Sequence, residues 1–493
     1  MEWLAAGDYE IARQILQRGV AAIALIAFAS TLAKFRPLLG EHGLLPVPEL
    51  LRRGGPRGPS VFRWGYSDAG LVAVAVTGML VSGILVVGLP QLGPPWAPAV
   101  AFLLLWALYL SVVNVGQTFY GFGWEMLLCE ALFTVAWLGS NASAPPLVVL
   151  VLVWWLVFRL EFGAGMIKIR GGREWRDLTA LSYHHETQPM PGPLSRQAHL
   201  LPAWFHRLEV LGNHFAQLVV PFFLFVPGPV GSAAAAVVVL TQLWLIVTGN
   251  FAWLNWITVV LAASAVSDPV WHAVIPAVPA SLGTDGALPG WWAIVVLLVA
   301  VLLAVASVPA LANLFSRRQL MNAAFNPLML GNAYGAFGTV TKERIEIVVE
   351  GTLGEAADEG GWAAYEFRGK PGEVHRIPRQ WAPYHLRLDW LMWFLPLGRI
   401  WEPWFEVFLV RLLEADAATL RLLRIDPFAV ERPRYVRAVA YRYRFASRAE
   451  YRRLRVRWMR EREGVVIGPA SLPPARPEVP PAPPEAPAPR SGG

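Results

Sequence analysis

Five of the nine histidines fall between Phe158 and Phe225: His184, His185, His199, His206 and His214. Glu161, Lys168, Trp175, Glu186 and Glu209 share that stretch, and long apolar runs flank it. Polar groups near a bilayer must be satisfied or put to use. Lys168 follows Gly163-Ala164-Gly165-Met166-Ile167 at the end of an apolar run. Small residues let helices approach closely, and a lysine desolvated there gives up its proton more readily and could act as a base. A lysine in that position could equally extend to the lipid headgroups. His206, Glu209 and Asn213 are spaced i, i+3, i+7 and share one helix face. Their side chains could form a structural polar network, line a cavity or bind a metal; H-x-x-E alone is too short a pattern, and no metal is assigned. His199 and His214 could join them. His184 and His185 are neighbours, so their side chains diverge. With Pro189, Pro191, Pro193 and Pro202 close by, the run is expected to be an irregular loop, covered by protein or lining a cavity.

These residues need a membrane scaffold. The 493-residue chain is 55% hydrophobic and only 16% charged, against about 25% charged for soluble domains. Residues 1–18 read as an interfacial amphipathic helix with Trp3, Leu4, Ile11 and Ile15 on its apolar side. A membrane domain over 19–315 follows. Its spans are expected near 19–39, 70–90, 97–116, 124–139, 146–160, 213–227, 231–249, 251–267 and 290–313, about nine in all at roughly 20 residues per crossing. Glu125, Glu130 and Glu161 fall inside them and need partners, for which Arg159 and Lys168 are available. Asn250 and Asn255 are expected to bond between helices. The basic regions 40–69, 160–212 and the chain after Arg317 then share one side, which charge bias would make cytoplasmic. No pattern for a cleaved signal peptide is evident at the start.

Composition changes after Phe315. Residues 316–467 alternate polar and apolar residues and predict a soluble α+β domain with a small antiparallel sheet. Its strands are expected at Arg344–Glu350, Trp362–Phe367 and Tyr435–Phe445, with helical spacing over Trp404–Leu423. The Pro/Ala-rich tail 468–493 cannot bury a core and is expected to be disordered.

Several runs resemble one family. They are Arg173-Glu174-Trp175-Arg176-Asp177, Tyr183-His184-His185-Glu186-Thr187-Gln188-Pro189-Met190-Pro191, and Trp204-Phe205-His206 with Glu209 and Asn213-His214-Phe215. Asn332, Tyr334 and Gly335, then Lys342-Glu343-Arg344, then Arg387-Leu388-Asp389-Trp390 continue the match towards the C-terminus. Together they look like the lipase maturation factor family, over roughly residues 10–448. The resemblance implies a polytopic membrane protein that helps secreted lipases fold or assemble, with the C-terminal domain meeting the client. It also implies that the central loop and this domain face the lumen, against the charge bias. A shorter run, Phe162-x-Ala164-Gly165-x-x-Lys168 with Trp175, is similar to the vitamin K-dependent gamma-carboxylases, where a lysine in this context is the catalytic base.

Three readings follow: a maturation factor without catalysis, a membrane enzyme using Lys168 as base, and a structural membrane protein. The lone Cys129 excludes a disulfide-exchange role that needs a thiol pair. No phosphate-binding loop, serine elbow or cysteine metal motif is present, and no cofactor is implied. The net charge of +7 suits lipid headgroups better than nucleic acid. Arg- and Ala-rich composition suggests a bacterial inner membrane, or the endoplasmic reticulum membrane in a eukaryotic source.

Overall fold

The computed structural model describes residues 4–277 and 288–473. Helix α1 (Glu10–Leu39) packs against α2 (Asp68–Val87), where Gly78 lies so close to the Phe28 ring that a Cβ there would clash with it. Ser67 caps the start of α2 by accepting from the Gly70 amide, and Gly88 in the left-handed region ends it. Then come α3 (Trp96–Val115), α4 (Gly123–Val135) and α5 (Leu147–Arg170), followed by α6 (Leu181–Thr187), α7 (Ala203–Leu218), α8 (Pro229–Thr248), α9 (Leu254–Ala263), α10 (Asp268–Val274) and α11 (Gly290–Phe315).

Among the described residues, seven helices are long and apolar enough to cross a membrane, or eight if the pair α9 and α10, bent by 106°, counts as one broken span. The expected nine is therefore not reached. The shortfall is α4, whose 13 residues are all buried among other helices and are too few for a crossing. The N-terminal expectation also changes. Among the described residues no separate interfacial helix precedes the first span; α1 runs unbroken from Glu10. Glu10, Arg13 and Gln17 in its first turns face protein rather than water. Arg13 is fully buried, donates to the carbonyls of Ser140 (2.7 Å) and Ser143, and pairs with Glu10.

The sheet has the order β2-β1-β3-β4, all antiparallel, with β1 (Arg344–Thr352), β2 (Ala363–Ala364), β3 (Tyr435–Phe445) and β4 (Trp458–Ala470). Val348 stands opposite Val439. The Trp362–Phe367 strand shrinks to two residues, and β4 extends past residue 467 into the stretch expected to be disordered. The tail from 474 onward lies outside the described residues. Helices α12 (Arg387–Met392) and α13 (Pro403–Leu413) complete this part; the spacing over Trp404–Leu423 yields α13 and a single turn at Ala417–Leu420.

The C-terminal part packs directly on the bundle. One apolar core runs from Leu16 and Phe28 through Leu128 and Trp253 to Val349, Trp390 and Phe408. Two buried polar clusters tie it to the bundle. Glu125 pairs with Arg387, which donates to the Phe119 carbonyl (2.9 Å) and lies 3.5 Å over the Tyr120 ring. Glu130 pairs with Arg159 and accepts from the amides of Gly331 and Asn332 (both 3.1 Å), from Asn332 Nδ2 (3.0 Å) and from the Tyr334 hydroxyl (2.7 Å). The three basic regions meet at this same end of the bundle: Arg411 bonds the His42 carbonyl, and Arg196 bonds that of Ala446.

Candidate functional site

The expected irregular loop around His184 is instead α6, a short helix whose prolines follow it rather than interrupt it. The helix makes its two histidines diverge. His184 stacks beside Phe251 and meets Phe337 edge-on, 4.8 Å between centroids. His185 turns to α7, where its Nε2 lies 3.1 and 3.3 Å from the two carboxylate oxygens of Glu209. Burial, and then the neighbouring His185, push the His184 imidazole down to about 3, so it stays neutral.

Between α5, α7, α8 and the C-terminal part lies a cavity of about 890 Å³. Membrane helices supply Glu161, Lys168, Glu209, Asn213 and Trp244 to its wall, α6 supplies His184, and the C-terminal part supplies Tyr334, Gly335, Phe337, Trp390 and Trp393. Lys168 donates to Asn213 Oδ1 (2.9 Å) and Gln217 Oε1 (2.8 Å), and its ammonium lies 4.7 Å from the Trp175 ring centroid. Gln217 then donates to Glu161 (3.1 Å), as does Gln242 (2.7 Å). Lys168, one of the partners available to the intramembrane carboxylates, therefore reaches Glu161 through an amide rather than directly. The i, i+3, i+7 face of α7 forms as expected: His206 Nδ1 is 3.3 Å from Glu209 Oε2, and Asn213 faces Lys168.

The other expected site residues lie around this wall. Trp175 donates to the Phe337 carbonyl (2.7 Å), and His214 contacts the Trp175 carbonyl (3.1 Å), outside the His185–Glu209 group. Arg176 bonds the Ile169 carbonyl on the surface, and Asp177 pairs with Arg173. Lys342 pairs with Glu174 (3.1 Å) and lies over Tyr183, while Glu343 pairs with Arg442. Arg344 is fully buried and donates to the carbonyls of Glu186 (2.8 Å), Gln188 and Pro189 (3.0 Å). Glu186 accepts from the Phe445 amide (2.6 Å), and burial raises its carboxyl above the usual range. Gln188 donates to the Thr248 carbonyl (2.8 Å). Asp389 accepts from the Gly369 amide (2.5 Å), and Trp390 packs edge-on against Trp124. Asn250 does not bond between helices. It accepts from the Trp381 and Ala382 amides and donates to the Pro191 and Arg379 carbonyls, clamping loop to C-terminal part. Asn255 Nδ2 is buried without a hydrogen bond.

Sequence reading missed Gln217, Gln242 and Trp244. All three sit in apolar runs and carry no charge, so nothing marked them out. The sequence assigned no metal, yet His185, His206 and Glu209 place one ligand atom each within 4.8 Å of one another.

Apolar helices with a C-terminal sheet docked at one end define an integral membrane protein whose cavity lies where the two parts meet. The sequence matches the lipase maturation factor transmembrane domain over residues 11–273 and the lipase maturation factor C-terminal domain over 330–468. It is similar to lipase maturation factor 1 from Bos taurus (37% identity, covering 95% of this chain and 90% of the relative) and from Mus musculus (36%, 95% and 88%). Human lipase maturation factor 2 is 29% identical over 89% of this chain and 80% of its own length. The chain belongs to the lipase maturation factor family. These relatives are from animals, so they lend nothing to a bacterial inner membrane. No solved structure matches.

Proposed function

We propose that this protein assists the folding or assembly of a secreted lipase from within the membrane, and that the cavity around Lys168 is needed for it. The observation that carries the reading is the joint construction of that cavity. Residues from both family domains form one wall, with Lys168 and His184 among them. The client would meet the exposed face of the C-terminal part, and lipids would surround the helices.

The test is complementation. A secreted lipase is expressed in cells lacking their own maturation factor, with and without this chain, and secreted lipase activity is measured. Recovery is expected with the wild type and not with Lys168→Met at equal membrane abundance. Failure of the wild type, correctly inserted, would overturn the reading; full recovery by Lys168→Met would remove the cavity from it.

A further inference from the structure

The group His185, His206 and Glu209 has an electrostatic feature that a simple polar network does not explain. His206 Nε2 lies 3.3 Å from the His199 carbonyl, which can only accept, so Nε2 carries the hydrogen. In the neutral ring, Nδ1 is then bare, yet it faces Glu209 Oε2, another acceptor, at 3.3 Å. His185 Nε2 approaches the same carboxylate at 3.1 Å. Something positive belongs among these three groups: an extra proton, or a metal ion.

The surroundings favour an ion. Glu209 Oε1 accepts from Trp244 Nε1 at 2.5 Å, which orients the carboxylate and leaves Oε2 for a second partner. The His199 carbonyl fixes the tautomer of His206 in the same way. Such supporting bonds are what ligands of a resident metal have; His206 and Glu209 carry one each, while His185 Nδ1 is buried without a partner. Zinc ligands at bond lengths of roughly 2.0–2.2 Å stand about 3.4 Å apart around a tetrahedron, close to the 3.1–3.3 Å of the two histidine–carboxylate separations, and all three ligand atoms lie within 4.8 Å of one another. Two neutral imidazoles and one carboxylate make a ligand set that zinc takes readily, with one position left open. Of the three residues, Glu209 borders the cavity.

We propose that His185, His206 and Glu209 hold a divalent ion of the zinc class beside the cavity. The full-length chain, purified in detergent without a histidine tag, is loaded with zinc, desalted and analysed for metal by mass spectrometry. About one zinc per chain is expected in the wild type and in His214→Ala, whose ring lies outside the group. Titration against a chromogenic chelator should show Glu209→Gln weaker by at least about tenfold. Trp244→Phe keeps all three ligands but loses the supporting bond, and should weaken zinc about ten- to a hundredfold. Because a ligand variant could fail to fold, cobalt is added to the wild type alone, where visible bands of a four-coordinate site are expected. The proposal is overturned if the wild type retains no zinc after desalting, if cobalt gives only the spectrum of the hydrated ion, or if Glu209→Gln and Trp244→Phe bind zinc as tightly as the wild type.

Discussion

Glu130 and Glu161 are both buried carboxylates in apolar helices, and their surroundings differ completely. Glu130 is enclosed by Arg159, the Gly331 and Asn332 amides, the Asn332 side chain and Tyr334. Glu125 is enclosed likewise by Arg387 and Tyr109. Glu161 instead lies on the cavity wall, held by two glutamine amides, with Lys168 one link away through Gln217. The sealed clusters join the C-terminal part to the helices. The open cluster leaves polar groups bordering the cavity. An ionisable residue in a span thus has one of two uses, and its partners, not its type, decide which.

The largest effect should come from a sealed cluster. Removing one member of a buried ion pair leaves an uncompensated charge and costs about 3–5 kcal/mol. Arg387→Met should therefore lower the melting temperature in detergent sharply; an unchanged melt would break the contrast.

A smaller effect should appear as pH falls. Folded His184 stays neutral down to about 3, whereas in the unfolded chain it takes up a proton near 6.5. Below about 6.5 the unfolded state therefore holds the extra proton, and stability declines as pH drops, by up to about 1.4 kcal/mol per unit. His184→Phe should flatten that acid limb in melts between pH 6.5 and 4. An acid limb as steep as the wild type's would show that His184 is already charged in the fold.

The open cluster should matter less to stability. Lys168→Met deprives Asn213 and Gln217 of a donor, but both border the cavity, where water can replace it. A loss of about 1 kcal/mol is expected, the low end for an unsatisfied group. The smallest effect belongs to the exposed pair Arg53–Glu49. Arg53→Ala should change the melt by no more than about 0.5 kcal/mol.

Much of this contrast could be read beforehand, and the remainder has physical reasons for staying hidden. The cost of a buried charge already required partners for Glu125, Glu130 and Glu161, and Arg159 was correctly available for Glu130. Arg387 was invisible as the partner of Glu125, because 262 residues separate them and its own segment reads as soluble. The 3.6-residue period placed His206, Glu209 and Asn213 on one face. It could not show that α6 would bring His185 to them, because four prolines after the histidines outweighed the short helix before them. Strand β3 followed from its β-branched and aromatic residues. After Trp458 and Met459, strand β4 carries Arg460, Glu461, Arg462 and Glu463, a charged run that suits an exposed edge and hides the strand. Span counting failed at α4, since a fully buried apolar helix and a membrane span look alike by composition.

The most direct test compares Lys168→Met with Arg387→Met, measuring melting temperature and secreted lipase activity for each beside the wild type. The expected result is that Lys168→Met melts close to the wild type but supports no lipase secretion, while Arg387→Met loses both. If Lys168→Met supports full secretion, or loses as much stability as Arg387→Met, the division between an open working cluster and sealed structural ones is contradicted.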